Sequence, residues 1–447
     1  MKVLYDFFFQ IKSTRRARVE FTSLAAEYKA VNIGQGFPDT PMPRFVSGML
    51  EDVAKHPERT DWHQYSQGFG HPRLTNALAR LYSSTLGVNV DEQQNVLVTV
   101  GAYLSLYYSF MGWLNDGDEV IERIIMYQSI VSVVDFVVFS VLNPAFYCYV
   151  PQIRMAGSMG VRQYTPIPVV FSLPLEPQSS KDYTLNVKVI EEKISKRTKM
   201  IVLNNPHNPT GKLFTQEELE KIAEIVNHLL VVADEVYEWH VYGDKKMIHF
   251  ASLPDMYKRT ITIGSAAFNV AFNVTGWKLV SAQKLTVLQQ AVIEAFEKEL
   301  DIIKANRKES YLLKGITSEL IQQRDRMASI LRSAGMEPII PGSGYFMVAN
   351  FSQLGESVFF EDPEYSLIPK CYFRYSLFKC PFKITDGSND PLDFRFVQWM
   401  CREKKLAMVP NSAFYTDSNK QSNDHFIRVC FFEVTVFWLF FTIANSF

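Results

Sequence analysis

Four short apolar runs, each ending at a polar or small residue, constrain this chain most. They are Val96-Leu97-Val98-Thr99 before Gly101, Met200-Ile201-Val202-Leu203 before Asn204-Asn205-Pro206, Leu229 to Ala233 before Asp234, and Thr260-Ile261-Thr262-Ile263 before Gly264-Ser265. Runs of this length with such boundaries read as buried strands. Between the second and third, Thr215-x-x-Glu218 forms a capping box, and Leu219, Ile222, Ile225 and Val226 follow at helical spacing. Strands alternating with helices predict an α/β fold, a mainly parallel sheet flanked by helices. In such sheets ligands sit at the carboxyl ends of the strands, where the polar residues just named lie. The last third reads differently. Glu319 to Ala334 is a charged amphipathic helix, and Pro341-Gly342-Ser343-Gly344-Tyr345-Phe346 is a turn entering a strand. That pattern predicts a second, smaller α+β domain.

A length of 447 residues suits two or three domains. A formal net charge of −1 gives no electrostatic reason to expect a nucleic-acid partner. Five scattered cysteines form no Cys-x-x-Cys pair and the histidines no His-Glu-x-x-His spacing, so neither a disulfide framework nor a metal site is expected. Met1 to Phe9 is short and interrupted by Asp6, a poor secretory signal. A cytoplasmic location is expected, with Arg15, Arg16 and Arg18 compatible with a mitochondrial one. Ile124 to Leu142 and Phe431 to Phe447 are strongly apolar, but Asp135 and Glu433 interrupt them. A mid-segment acid is costly in hydrocarbon, so a membrane partner is not expected.

The most specific motif is Asn205-Pro206-His207-Asn208-Pro209-Thr210-Gly211. By itself it is a Pro/Gly turn between a strand and a helix. With Ala233-Asp234-Glu235-Val236-Tyr237 downstream, and with Gly34-Gln35-Gly36-Phe37-Pro38, Gln64-Tyr65, Val98-Thr99-Val100-Gly101, Gly276-Trp277-Lys278 and Phe426-Ile427-Arg428, it resembles fold-type I aminotransferases dependent on pyridoxal phosphate. The wording is most similar to the kynurenine aminotransferase and cysteine-S-conjugate β-lyase branch, over roughly three quarters of the chain. The resemblance implies a transaminase moving an amino group from a kynurenine-like amino acid to a 2-oxo acid, and a homodimer. It implies that Asp234 pairs with the cofactor's pyridinium nitrogen, that Asn208 and Tyr237 donate to its ring oxygen, and that Phe146 stacks on the ring. For the phosphate it implies the amides of Ala102 and Tyr103, together with Ser265 and Lys278. Tyr65 would reach the phosphate of the other subunit, and Gly36 and Arg428 would receive the substrate carboxylate.

The expected organisation has three parts. Residues 1–45 are an N-terminal arm and part of the small domain. Residues 46–305 are the large cofactor-binding domain, with apparent insertions at 122–143 and 158–168. Residues 306–447 are the small domain, with an apparent insertion at 357–380 and an apolar tail at 431–447. A stretch of the family's sequence is absent after Leu279. The largest departure is chemical. The family's cofactor-lysine loop reads Ser-Ala-Gly-Lys before Thr-Gly-Trp-Lys, whereas here Ser265-Ala266 is followed by Ala267-Phe268-Asn269-Val270-Ala271-Phe272-Asn273-Val274. No lysine lies between Ser265 and Lys278. The lysine that would hold the cofactor as a Schiff base and move the proton is missing, so no catalytic residue is assigned and little or no turnover is expected; the alternatives are a catalytically silent homologue that binds pyridoxal phosphate and an integral membrane protein. Arg18 also stands where the family often carries a tryptophan before Val19-Glu20-Phe21. Matched blocks joined by Phe/Val-rich fillers suggest non-coding sequence read through; a mature transcript carrying the codons for Ile124 to Leu142 would refute that reading.

Overall fold

The computed structural model describes residues 20–36, 43–63, 67–115, 118–121, 137–139, 142–143, 146, 148–157, 164–166, 169–170, 177–265, 286–355, 390–415 and 424–432. Its centre is a parallel sheet of four strands in the order Glu119–Ile121, Thr198–Asn204, Leu230–Asp234 and Thr260–Ile263. Alternate residues of these strands face opposite sides. Ile201, Leu203, Val231 and Ala233 join one core with Leu219 and Ile222 of the Gln216–Ile225 helix. Met200, Val202, Val232 and Ile263 join another with Leu106 and Phe110 of the Ala102–Trp113 helix and Ile153 of the Tyr149–Gly157 helix. Burial on both faces explains why these strands read as continuous apolar runs rather than as alternating ones. Thr215 caps its helix as expected, with the Glu218 amide donating to its hydroxyl and the Glu218 carboxylate accepting from its amide.

Among the described residues, the first predicted strand differs: Val96–Thr99 pairs with none of the described strands, and Leu97 is 52% exposed. The Val98 amide donates to Phe69 O at 2.9 Å, and its side chain packs directly against Gly70 in the Gln67–Gly70 turn. The run closes a turn, and Glu119–Ile121 is the outer strand of the sheet among the described residues.

The second sheet is antiparallel, in the order Glu337–Ile339, Phe346–Asn350, Phe426–Cys430 and Val409–Pro410. Helices Ile316–Ser333 and Leu392–Lys404 pack on the largest core, which also holds Met347, Ala349, Ile427 and Val429. Phe431 and Phe432, the first residues of the apolar tail, are buried there as well. Described parts of the first apparent insertion pair in parallel with strands in and just after the second. Val137–Phe139 lies beside Tyr164–Pro166, and Leu142–Asn143 beside Val169–Val170. The remainder of 122–143, of 158–168 and of the tail, and all of 357–380, lie outside the described residues. Among the described residues, no helix is long and apolar enough to cross a membrane.

Candidate active site

Asp234 ends its strand in register with Asn204 on one side and Ile263 on the other. Its carbonyl accepts from Asn205 N at 3.0 Å and from Asn204 Nδ2 at 2.9 Å, which fixes the strand end. Its carboxylate is 3% exposed. Oδ2 accepts from the Tyr149 hydroxyl, and Oδ1 from Val236 N at 3.4 Å. Burial lifts the carboxyl to about 6, while the Tyr149 hydroxyl and the Val236 amide hold it down and the nearby Glu235 charge pushes it up.

The loop after Thr198–Asn204 is braced by its own polar groups. Asn204 Oδ1 accepts from Asn208 N at 2.8 Å, and Asn205 Oδ1 from Phe214 N at 3.1 Å. His207 N donates to Lys212 O at 2.9 Å, and Gly211 N to His207 O at 2.8 Å. These bonds hold the buried Asn208 amide in place. Asn208 Nδ2 donates to Tyr237 Oη at 3.3 Å, and Oδ1 accepts from Arg428 Nη1 at 3.0 Å. Arg428 comes from the middle of the antiparallel sheet, opposite Val348, and is 3% exposed. Its Nη2 donates to Gly34 O at 2.7 Å, and its guanidinium lies 3.9 Å from the Phe346 ring centre and 4.6 Å from that of Phe414. Gly36 has φ +68°, and a Cβ there would meet the Phe346 ring at 2.7 Å. The backbone can therefore approach this aromatic wall only as glycine.

Tyr237 stands edge-on to Tyr345, with ring centres 5.2 Å apart at 88°. Burial keeps its phenol well above the ordinary range, so it stays a neutral donor. Behind it, burial lowers His240 to about 4, so that ring is neutral at physiological pH. At the other end of the cleft, Ala102 opens its helix half-buried, while Tyr103 is 44% exposed. The Thr99 hydroxyl braces this helix start, donating to Gly101 O at 3.0 Å and contacting Ser105 Oγ at 2.6 Å. Ser265 follows the last sheet strand and is half-buried. Phe146 is half-buried at the edge of the shared core, its ring centre 5.8 Å from that of Tyr149.

The structure thus joins Asn208, Tyr237 and Arg428 by direct bonds, sets Gly36 against the same aromatic wall, and brings Phe146 beside the tyrosine that bonds Asp234. Ala102 and Ser265 enter from elements that share one core with Phe146 and Tyr149. Tyr65, Lys278 and the 266–277 loop lie outside the described residues. Sequence reasoning assigned no role to Tyr149. It also missed Gly34, Phe346 and Phe414 around Arg428.

A model of the aminotransferase class I and II family matches residues 28–435. The chain belongs to that family. It is 38% identical over 436 residues to rat kynurenine--oxoglutarate transaminase 3, covering 93% of this chain and 84% of the relative. It is 34% identical to human kynurenine--oxoglutarate transaminase 1, covering 92% and 91%. Among solved structures, Bna3p from Saccharomyces cerevisiae superposes with TM-score 0.72 at 23% identity, covering 96% of this chain and 95% of the other. N-Succinyldiaminopimelate aminotransferase from Mycobacterium tuberculosis gives 0.69 at 24% identity, with the same coverage. These superpositions establish the fold-type I α/β architecture. Pyridoxal 5'-phosphate is the cofactor of this family and fold.

The residues fit that group at its ring. A buried carboxylate held by two donors suits a protonated ring nitrogen, and the Asn208–Tyr237 pair suits an anionic ring oxygen. They do not fit its aldehyde in the way the family does, because no amine is encoded between Ser265 and Lys278.

Proposed function

We propose that this chain is a pyridoxal-phosphate-binding transaminase homologue whose cleft suits a kynurenine-like amino acid and a 2-oxo acid, and whose turnover is crippled by the missing lysine. One observation carries the reading. A single buried chain of bonds runs from the Arg428 guanidinium through Asn208 to the Tyr237 hydroxyl, so a carboxylate anchor and ring-oxygen donors form one unit. Asp234 would hold the ring nitrogen's proton in place by its charge. Asn208 and Tyr237 would orient the ring through its oxygen, and Phe146 would cover one face. The Ala102 and Tyr103 amides, Ser265 and Lys278 would take the phosphate. When bound, the cofactor supplies an electron sink for charge developing at the amino acid's α-carbon. Arg428 would receive the carboxylate bidentately, replacing its bond to Gly34 O, and Gly36 would let the substrate approach the backbone. By the family resemblance the chain would work as a homodimer, with Tyr65 reaching the other subunit's phosphate.

The test is transamination of kynurenine with 2-oxoglutarate at saturating cofactor. The native chain is expected at background, and an Ala267→Gly/Phe268→Lys variant above it. Strong activity in the native chain, abolished by Asp234→Asn, would overturn the crippled reading while keeping the site. If neither chain turns over while both bind the cofactor, the catalytically silent reading stands.

A further inference from the structure

Next to Asp234, four side chains from three parts of the chain form a cluster, three of them buried and Tyr82 half-buried. Tyr82 comes from the Pro72–Leu86 helix, Glu235 and Glu238 follow Asp234, and His249 precedes the short Phe250–Ser252 helix. Glu235 is 1% exposed, Glu238 3% and His249 6%. His249 Nδ1 lies 2.6 Å from Glu235 Oε2, and Glu235 Oε1 accepts from Phe250 N at 2.9 Å. The Tyr82 hydroxyl donates to Glu238 Oε1 at 2.6 Å. Glu238 Oε2 is buried without a hydrogen-bond partner, with His249 Nε2 3.8 Å away. The Tyr82 and His249 rings meet edge-on at 6.3 Å.

The cluster grips backbone that the cleft depends on. Glu235 N donates to Ile263 O at 2.9 Å, tying the residue after Asp234 to the last sheet strand. Gly264 lies directly under the Tyr82–Glu238 bond. A Cβ there would collide with the Tyr82 hydroxyl and stand 2.8 Å from Glu238 Oε1. A hydrogen bond laid across a glycine backbone fixes the height of the next residue, Ser265.

We propose that Tyr82, Glu238, His249 and Glu235 are positioning residues that clamp Glu235 and Gly264, and so hold Asp234 and Ser265 in register for pyridoxal phosphate, with a grip that depends on the cluster's protons. This rests on the reading that Asp234 and Ser265 bind that cofactor. The groups facing one another are these four, and the Glu235 charge also acts on the Asp234 carboxylate. Burial lifts Glu238 to about 7, against the pull of His249 and Tyr82. Burial opposes the His249 cation, but the hydrogen bond and charge of Glu235, with the charge of Glu238, outweigh it and set His249 near 9. Between about 7 and about 9, Glu238 is ionised and His249 cationic, and their attraction draws the 3.8 Å contact together. Below that window Glu238 is neutral. Above it, His249 is neutral and the Glu238 carboxylate loses its counter-charge.

The experiment titrates pyridoxal phosphate into the native chain, Tyr82→Phe, Glu238→Gln and His249→Gln from pH 5 to 10. Hydrogen exchange at the Glu235 and Gly264 amides is followed in the ligand-free proteins. Relative to Glu238→Gln, the native affinity should gain a bend near pH 7; relative to His249→Gln, it should fall above pH 9. Tyr82→Phe should bind roughly tenfold more weakly and exchange faster at both amides. A purely structural role would lower melting temperatures and leave the pH profiles superimposed. Superimposed profiles with unchanged exchange overturn the inference. If the native chain binds no cofactor at any pH, the cofactor reading falls and exchange decides the clamp. Faster exchange in Tyr82→Phe then supports it, and unchanged exchange overturns it.

Discussion

Removing one hydroxyl should retune the centre of this site. Tyr149→Phe keeps the ring against Phe146 but deletes the donor to Asp234 Oδ2. The Val236 amide at 3.4 Å is then the remaining donor shown for that carboxylate. A hydrogen bond to a charged buried group contributes about 1.5–3 kcal/mol, and about 1.4 kcal/mol is one pH unit of ionisation. Asp234, near 6 in the native protein, should therefore move up by about one to two pH units. Only the ionised carboxylate pairs with a protonated ring nitrogen. At pH 7 the variant should bind pyridoxal phosphate roughly two- to tenfold more weakly by this effect, and near pH 9 the gap should close. Ligand-free stability depends on the same ionisation. A folded value raised above the unfolded 3.8 means stability present below 3.8 and lost as pH rises through about 6. The variant should extend that loss upward. The assay is an absorbance titration of cofactor from pH 5 to 9 on both proteins. An affinity ratio that stays flat across that range refutes the reasoning.

Three further outcomes follow from the same geometry. Arg428→Lys loses the fork that bonds both Asn208 and Gly34, so 2-oxoglutarate affinity, measured calorimetrically on the cofactor-bound chain, should fall about 10- to 100-fold. His249 is raised from 6.5 to about 9, so its stabilisation is complete below pH 6.5 and disappears through pH 9. Denaturant unfolding at pH 6 and pH 10 should show that component, on the order of 3 kcal/mol, in the native chain and not in His249→Gln. Leu219→Ala opens a fully buried position between the Gln216–Ile225 helix and the sheet, and should destabilise by about 2–5 kcal/mol with cofactor affinity per folded molecule unchanged.

Much of the architecture was legible because its causes are local. Thr215 and Glu218 announce a helix start, and three of four apolar runs became neighbouring parallel strands with Asn204, Asp234 and Ser265 at or just past their ends. Among the described residues Val96–Thr99 pairs with no strand, because an apolar run does not say what it packs against; here Val98 meets the Gln67–Gly70 turn. The convergence of Asn208, Tyr237 and Arg428 was legible only by resemblance, since Asn208 and Arg428 are 220 residues apart. Tyr149, Gly34 and Phe414 act through tertiary contacts that no spacing encodes. Glu235, Glu238 and His249 look like surface residues in sequence, and only the fold shows them buried together.

In the proposed site this chain keeps the ring-binding unit and lacks the amine that would tether the cofactor. The direct measurement is an absorption spectrum of the purified chain with pyridoxal phosphate, before and after borohydride, followed by mass spectrometry of the intact protein. The account predicts saturable binding that dialyses away and leaves the protein mass unchanged after borohydride. A cofactor adduct fixed to one lysine of the native chain would contradict it.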